Sequence, residues 1–236
     1  IMQAGDLVAS TRAALDGVLS GQELLNIAYL MESIWLARRA VESLRGSVPA
    51  LEAIAVRVPD LRDLKTRMLE ALDERGGVLD GATPRLGPLR EKAATSYQRL
   101  VRLLERISGA PKVRVALQSH AIATRGDRLV LEVKSEHRRV VPGIVHDVSQ
   151  TGMTLFVEPL AAVERCNEWR ETAAEAVREE ERVLRRLSRI VGDREPQALA
   201  AVEAAAELDL ITARARLARS MEAHRPETLA PDAGQA

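Results

Sequence analysis

The sequence predicts a mainly α-helical protein whose long helices form an antiparallel coiled-coil-like lever, with a small antiparallel β module inserted between them. Two compositional features favour long helices: 46% of the 236 residues are apolar, yet only 2% are aromatic. Aliphatic residues at helical spacing pack neighbouring helices along narrow seams. A third feature marks the insert, because the apolar period changes from helical to alternating in the middle of the chain.

The first third of the chain carries start and stop signals for several helices. Ser20 is a good N-cap, and Glu23 stands at capping-box spacing before a broad apolar helical face. Pro49 and Pro59 each stand near the start of a further short helix, and the glycines at 76–77 end the second one.

Two longer helices flank the middle of the chain. The first begins near residues 83–84 or, if Pro88 breaks that first turn, near Gly87, and it continues to Ser108, where the sequence SGAP supplies the stop. Its seam consists of Leu86, Leu89, Ala93, Ser96, Leu100, Leu103 and Ile107. The second runs from Pro159 to Gly192; its seam consists of Val163, Cys166, Arg170, Ala173, Val177, Glu180, Leu184, Leu187 and Val191. Seams of roughly 37 to 50 Å, at 1.5 Å per residue, predict antiparallel pairing with the β module at the far end. An alanine-rich helix follows from Pro196 to about Glu222.

After Pro111 the alternating pattern of residues 112–157 predicts the β module. Leu129, Leu131 and Val133 fall on one strand face, after a hairpin turn at 125–127. The stretches GIVHDV and MTLFV form a second predicted strand pair around the turn at 149–152.

The chain is neutral overall, but its charge is unevenly distributed. Residues 85–139 carry a net charge of +8, between flanks of −3 and −5. A basic centre of this kind attracts phosphates even in a neutral chain. The candidate nucleic-acid-binding residues on and beside the β module are Arg125, Arg128, Lys134, Arg138, Arg139, Lys112 and Arg114. The basic residues of the preceding helix are interpreted as solvating an exposed face: Arg85, Arg90, Lys92, Arg99, Arg102 and Arg106.

His146, Asp147 and Ser149 stand within four positions and resemble the start of a hydrolase site. Successive side chains of a strand point to opposite faces, so His146 and Asp147 are expected to diverge and cannot make the base-orienter contact of a catalytic triad. We expect His146 to lie on a strand face near Ile144, with Asp147 and Ser149 capping a turn that Gly152 completes. The sequence therefore predicts no catalytic residue here.

Other kinds of chemistry find no support in the sequence. The four histidines show no metal-ligand spacing, and the phosphate-cradling GxxxxGK[ST] and GxGxxG loops are absent. No metal and no cofactor is expected in this segment. A single cysteine, no signal sequence and no apolar run of about 20 residues favour a cytoplasmic protein that does not enter membranes.

The stretch PGIVHDVSQTGMTLFVEP (142–159) resembles the signature G-x-VHD-x-S-x-(S/T)-G-x-T-x-F-x-EP of the second bacterial MutS-like subfamily, the MutS-two proteins. The stretches at 16–28, 76–90, 125–147 and 207–218 are similar to other parts of the family, in the family's order. The matching signature positions are Gly143, His146, Asp147, Ser149, Gly152, Thr154, Phe156, Glu158 and Pro159. The chain departs from the family pattern at Asp127 and Cys166.

The resemblance implies a core, lever and clamp segment of a DNA-structure-binding ATPase of the mismatch-repair MutS superfamily that works as a homodimer. It implies that ATP and Mg²⁺ belong to an ATPase domain outside this segment, as does a small MutS-related nuclease domain. The segment itself is then no enzyme, and its signature residues carry a fold and clamp role only.

Combined with the elements above, the resemblance predicts six segments. These are a helical core or connector (1–83), an ascending lever helix (84–111), a clamp module (112–158), a returning lever helix (159–193), a core helix leading toward the ATPase (194–225) and a flexible tail (226–236).

Three functions are open at the level of sequence. The first is a grip on branched or mismatched duplex DNA through phosphate and shape contacts, in mismatch repair or recombination control. The second, within the same family, is binding of ribosomal RNA in the rescue of collided ribosomes. The third is a coiled-coil scaffold that binds no nucleic acid.

Overall fold

The computed structural model describes residues 17–224, so the predicted tail at 226–236 lies outside the described residues. The helices are α1 (Gly21–Glu42), α2 (Pro49–Ala55), α3 (Arg62–Leu69), α4 (Leu86–Gly109), α5 (Pro111–Ala116), α6 (Leu160–Gly192) and α7 (Glu195–Ser220). The strands are β1 (Leu117–Arg125), β2 (Arg128–Lys134), β3 (Gly143–Val148) and β4 (Thr154–Pro159). The predicted fold class is confirmed: the chain is mainly helical, with a small antiparallel sheet between α4 and α6.

The chain forms two compact units. The first unit combines the residues before Val78 with those from Arg185 onward, and the second consists of Val78–Leu184. Helix α6 begins in the second unit and ends in the first.

The first unit is a helical bundle in which α1 packs against α2, α3 and α7. The capping box predicted at its start is present: Ser20 accepts a hydrogen bond from the Glu23 amide, and the Glu23 carboxylate accepts one from the Ser20 amide. The buried side chains of α1 are Leu24, Leu25, Ile27, Ala28, Met31 and Ile34. At the same end, a Cβ on Gly21 would lie 1.9 Å from the Gly76 carbonyl oxygen, so this close approach requires glycine.

The second unit contains the sheet, whose strand order is β1-β2-β4-β3 with every pairing antiparallel. The sheet starts later than the sequence pattern indicated, because residues 111–116 form the short helix α5. Pro111 is favourable in the first turn of a helix, which explains how α5 begins directly after α4. The alternation predicted for β2 is present, since Leu129, Leu131 and Val133 all join one apolar cluster.

That cluster lies between one face of the sheet and the two long helices of the unit. It consists of Leu100, Leu104, Leu117, Leu129, Leu131, Val133, Val141, Leu155, Val157, Ala162 and Cys166. The opposite face of the sheet is called the outer face below.

Helices α4 and α6 run antiparallel within the second unit. The rings of Tyr97 and Trp169 lie 5.3 Å apart, and the Arg90 guanidinium pairs with Glu180 at 2.7 Å. The seam predicted for α6 is wrong in its middle part, where Ala176 is buried while Val177 is 54% exposed. After Cys166, the partly buried Trp169 rather than Arg170 packs against the apolar cluster, with its large indole ring beside Tyr97.

Candidate nucleic-acid interface

The outer face of the sheet carries the charged side chains of the signature stretch. Phe156 and Glu158 are two residues apart on β4 and therefore share a face. Val130 lies opposite Glu158 in the register of β2 and β4, which places Arg128 on the same face. Arg125 pairs directly with Arg128 across the β1–β2 hairpin and joins them.

Glu158 is the centre of this face and is fully buried, with 0% of its surface exposed. One of its carboxylate oxygens lies 3.0 Å from Nη1 of Arg128, and the other lies 2.7 Å from Nε2 of His146. Burial disfavours the charge of Arg128, but the Glu158 carboxylate more than compensates, so the pKa of Arg128 is raised. A buried carboxylate needs such partners, and this one ties together β2, β4 and β3.

Arg125 forms a second arrangement on the outer face. Its guanidinium carbon lies 3.5 Å from the centre of the Phe156 ring, and its Nε lies 3.3 Å from the Asp147 carboxylate. Arg125 is thus held by a cation–π contact and an ion pair at once. Two of the seven candidate nucleic-acid-binding residues, Arg125 and Arg128, therefore have partners inside the fold.

A β-bulge in β3 corrects the expected geometry of His146 and Asp147. Val145 pairs with Val157 and Asp147 pairs with Phe156, so the register shifts by one residue at His146. Such an extra residue breaks strict alternation. Both side chains consequently reach the outer face, and the prediction that they diverge is wrong. They still do not form a dyad, because His146 contacts Glu158 and Asp147 pairs with Arg125.

The β3–β4 turn is built by the polar residues of the signature. Oγ of Ser149 accepts a hydrogen bond from the Thr154 amide at 3.0 Å, and the Ser149 carbonyl accepts one from the Gly152 amide at 2.8 Å. Gly152 has a φ of +71°, which glycine adopts without strain. Asp147 does not cap this turn as expected, since its Oδ1 accepts from the neighbouring Val148 amide.

Gly143 and Pro159 face each other where β3 meets β4. A Cβ on Gly143 would lie 2.3 Å from the Glu158 carbonyl oxygen and 2.5 Å from Cγ1 of Val157. Only glycine allows this approach, which fixes β3 beside β4 and brings His146 within reach of Glu158.

The other candidate residues lie along one edge of the β module. Lys112, Arg114, Arg138 and Arg139 are all exposed, and we call this set the basic edge. The first two belong to α5, and the others belong to the 3-10 segment Ser135–Val140, which contacts α5. None of the four forms an ion pair within residues 17–224. Lys134 is close by, and its Nζ donates to the Val115 carbonyl at 3.3 Å.

The sequence did not reveal which of these basic residues are paired with carboxylates and which are not. The carboxylate partners of Arg125 and Arg128 come from β3 and β4, 22 and 30 residues away along the chain, and no local pattern marks them. Sequence reasoning also missed Arg165 of α6, which joins Arg99, Arg102 and Arg106 of α4 in one cleft. The spacing of the three α4 arginines is visible in the sequence, whereas the approach of Arg165 from the opposite wall of the cleft is not.

Metal-binding clusters and membrane-spanning helices are both absent from residues 17–224. Among the described residues, no group of three or more histidine, cysteine, aspartate and glutamate side chains is placed to hold a metal ion. Within residues 17–224, every helix is too short or too polar to cross a bilayer.

Comparison with known proteins gives a consistent set of relatives. The chain is 36% identical over 231 residues to endonuclease MutS2 of Thermomicrobium roseum, an alignment that covers 97% of this chain and 28% of the relative. It is also 36% identical to endonuclease MutS2 of Pelotomaculum thermopropionicum over 222 residues and of Synechocystis over 224 residues. These alignments cover 94% and 93% of this chain, and 28% and 26% of the relatives. No protein-family model matches the chain.

The chain thus spans little more than a quarter of the length of the curated relatives it matches. Over nearly its whole length it is homologous to a segment of endonuclease MutS2, which confirms the family resemblance seen in the signature stretch.

Proposed function

We propose that this chain is the core, lever and clamp segment of a MutS2-type protein, and that its β module grips duplex or branched DNA through phosphate contacts. In this proposal the β module with its basic edge is the clamp, and α4 and α6 are the levers. The segment binds and transmits movement, while ATP, Mg²⁺ and nuclease chemistry belong to other parts of a dimeric protein.

The observation that carries the proposal is the basic edge. Lys112, Arg114, Arg138 and Arg139 are exposed and without ion pairs among the described residues, so their charge is available to a ligand. Glu136, on the same 3-10 segment, has His137 at 3.5 Å as its ion-pair partner among the described residues. Free cations on one edge are typical of a surface that neutralises phosphates.

The paired arginines support the proposal indirectly. The contacts of Glu158 with Arg128 and His146 fasten three strands together, which gives the basic edge a rigid base. A rigid base matters because ordering flexible side chains or strands on binding costs affinity. Arg125 and Arg128 therefore act as structural residues in this proposal, while Lys112, Arg114, Arg138 and Arg139 contact phosphates.

No phenylalanine, tyrosine or tryptophan for base stacking stands on the two segments of the basic edge, residues 111–116 and 135–140. Contacts to phosphates and to the shape of the nucleic acid then supply most of the affinity, and the base sequence is recognised only weakly. The expected ligand is a duplex or junction of any sequence, bound with a strong dependence on salt.

The test is fluorescence anisotropy of the 236-residue chain with labelled duplex DNA, four-way junction DNA and an RNA hairpin across a salt series. We expect log affinity to fall against log salt with a slope of about −3 or steeper, at roughly −0.9 per phosphate contact. The variant K112Q/R114Q/R138Q/R139Q is expected to lose about three units of that slope. A matched control is R178Q/R189Q/R214Q/R216Q, which removes four exposed arginines elsewhere and the same net charge.

Each outcome separates the candidate functions. Equal weakening of both variants would show that only net charge matters and would refute the basic edge as the site. A clear preference for the RNA hairpin would favour the ribosomal RNA alternative. No binding at low salt would favour the scaffold reading.

A further inference from the structure

We propose a second phosphate-binding surface, in the cleft between α4 and α6, that takes the phosphodiester backbone of a nucleic acid. The cleft is lined by Arg99, Arg102, Glu105 and Arg106 of α4 and by Arg165 of α6, and we call it the arginine cleft. The inference rests on the proposed function, since it assumes that the protein binds nucleic acid, but it concerns different residues on a different element.

The lining of the arginine cleft is entirely charged. It encloses about 700 Å³, and four guanidinium groups face one carboxylate, so its net charge is three positive. All four arginines are exposed to solvent. A concave surface of one charge focuses its field on an approaching ligand of the opposite charge.

The described part of the fold provides no partner for the charges of these four arginines. None of the four arginines forms an ion pair or a side-chain hydrogen bond within the described part of the chain. Arg90, on the same helix, shows the alternative: it binds Glu180 and also donates to the Val78 carbonyl at 2.9 Å. Like charges three or four residues apart on a helix repel, and Glu105, three residues from Arg102, offsets only part of the repulsion of Arg102 by Arg99 and Arg106.

The spacing of the arginines fits a chain of phosphates better than a single one. At about 1.5 Å rise per residue, Arg99, Arg102 and Arg106 extend over about 10 Å of α4. A strand of duplex DNA places one phosphate about every 3.4 Å along its axis, so about three phosphates span that length. Arg165 approaches from the other wall, and guanidinium groups bind phosphate oxygens in pairs of parallel hydrogen bonds.

Carboxylates limit the cleft on one side. A neighbouring cavity of about 290 Å³ shares Arg99 but is also lined by Glu91 and Glu168. The attraction for phosphate is therefore concentrated around Arg102, Arg106 and Arg165.

The experiment compares R99Q/R102Q/R106Q/R165Q in the full chain with R178Q/R189Q/R214Q/R216Q, which has the same net charge. Binding to a labelled 30-base-pair duplex is followed by anisotropy across a salt series. The cleft variant is expected to bind at least about tenfold more weakly than the control near 100 mM salt, with a salt slope about three units shallower. The variant R99K/R102K/R106K/R165K keeps the charge, and we expect it to retain most of the slope even if helix packing changes.

Equal binding by the cleft variant and its control would overturn the inference. It would also be overturned if inorganic tripolyphosphate saturated the wild-type chain in calorimetry without displacing the duplex, because the cleft would then serve a free polyphosphate. Loss in the cleft variant with no loss in the basic-edge variant would uphold the arginine cleft and refute the basic edge. The reverse pattern would refute the cleft alone, and a wild-type chain that binds no duplex would refute both.

Discussion

The outer face of the sheet and the arginine cleft lie in the same unit and use the same kind of residue in opposite ways. On the outer face, Arg125 and Arg128 pair with Asp147 and Glu158. In the cleft, Arg102, Arg106 and Arg165 have no ion pair among the described residues. The number of basic residues in a region therefore does not show which of them are already neutralised; the positions of the carboxylates do.

The difference has an energetic basis. A buried ion pair that loses one partner leaves an uncompensated charge, so it is costly to break. An exposed arginine is solvated in either case, and its removal changes stability little. Substitutions on the outer face should therefore lower the free energy of unfolding. Substitutions in the cleft and on the basic edge should instead lower the affinity for nucleic acid.

Removing the Glu158 carboxylate should have the largest effect. Glu158→Ala removes a fully buried carboxylate and leaves the half-buried Arg128 and His146 without their shared partner, and we expect a loss of about 3 kcal/mol in the free energy of unfolding. Urea unfolding of the full chain measures this loss, and Glu158→Gln, which keeps the side-chain volume, should lose less. A loss below about 1 kcal/mol would contradict a structural role for the network.

Arg128→Ala and Arg102→Ala form a matched pair that contrasts the two regions directly. Arg128→Ala removes a charged partner of buried Glu158 and should cost about 2 kcal/mol, whereas Arg102→Ala should change stability by less than about 0.5 kcal/mol. In DNA binding the order should reverse, with Arg102→Ala the weaker binder. If Arg128→Ala lowered affinity while stability stayed unchanged, the division between paired and free arginines would be wrong.

Gly143→Ala tests whether the β3–β4 approach positions His146. The added methyl would overlap the Glu158 carbonyl and Val157, and relief of that overlap should cost about 1–3 kcal/mol. Gly126→Ala is the control for an added methyl at a position with open space, although its φ of +59° adds a small conformational cost. Equal melting temperatures for the two variants would argue against the close approach.

The thiol of Cys166 lies in the apolar cluster close to Glu158 and Arg128, and it offers a probe of that ion pair with little energetic consequence. Burial raises the pKa of Cys166, and Glu158 and Arg128 are also close enough to influence it. The native thiol should therefore react slowly with a disulfide reagent at pH 8 and fully after unfolding. Because the raised pKa keeps the folded thiol neutral, this group's contribution to stability falls as the pH rises past the pKa of the unfolded thiol, about 8.5.

The same thiol reports on the network beside it. Glu158→Ala should accelerate labelling of Cys166, because the packing around the buried pair loosens. Arg102→Ala should leave the labelling rate unchanged. Fast labelling of the wild-type chain would contradict the burial of this cysteine.

Much of the fold was predictable because it depends on local signals. The capping box at Ser20 and Glu23 fixes the start of α1, and the SGAP sequence ends α4 at Gly109. Leu129, Leu131 and Val133 alternate because one strand face meets the core. The predictions that failed depend on distant contacts: the bulge at His146, the helix at 111–116 and the step of the α6 seam at Trp169.

The sequence alone determined the helical architecture, the inserted β module, the basic centre and the resemblance to the MutS-like family. These follow from periodicity, charge and a contiguous signature, all of which act over a few residues or are read in order along the chain. The tertiary structure decided which cations are already neutralised, because ion pairing falls off steeply with distance in water and the partners stand far apart in sequence. Of the basic residues between 85 and 139, it assigned Arg90, Arg125 and Arg128 to the fold, and it left the basic edge and the three cleft arginines of α4 without ion pairs among residues 17–224.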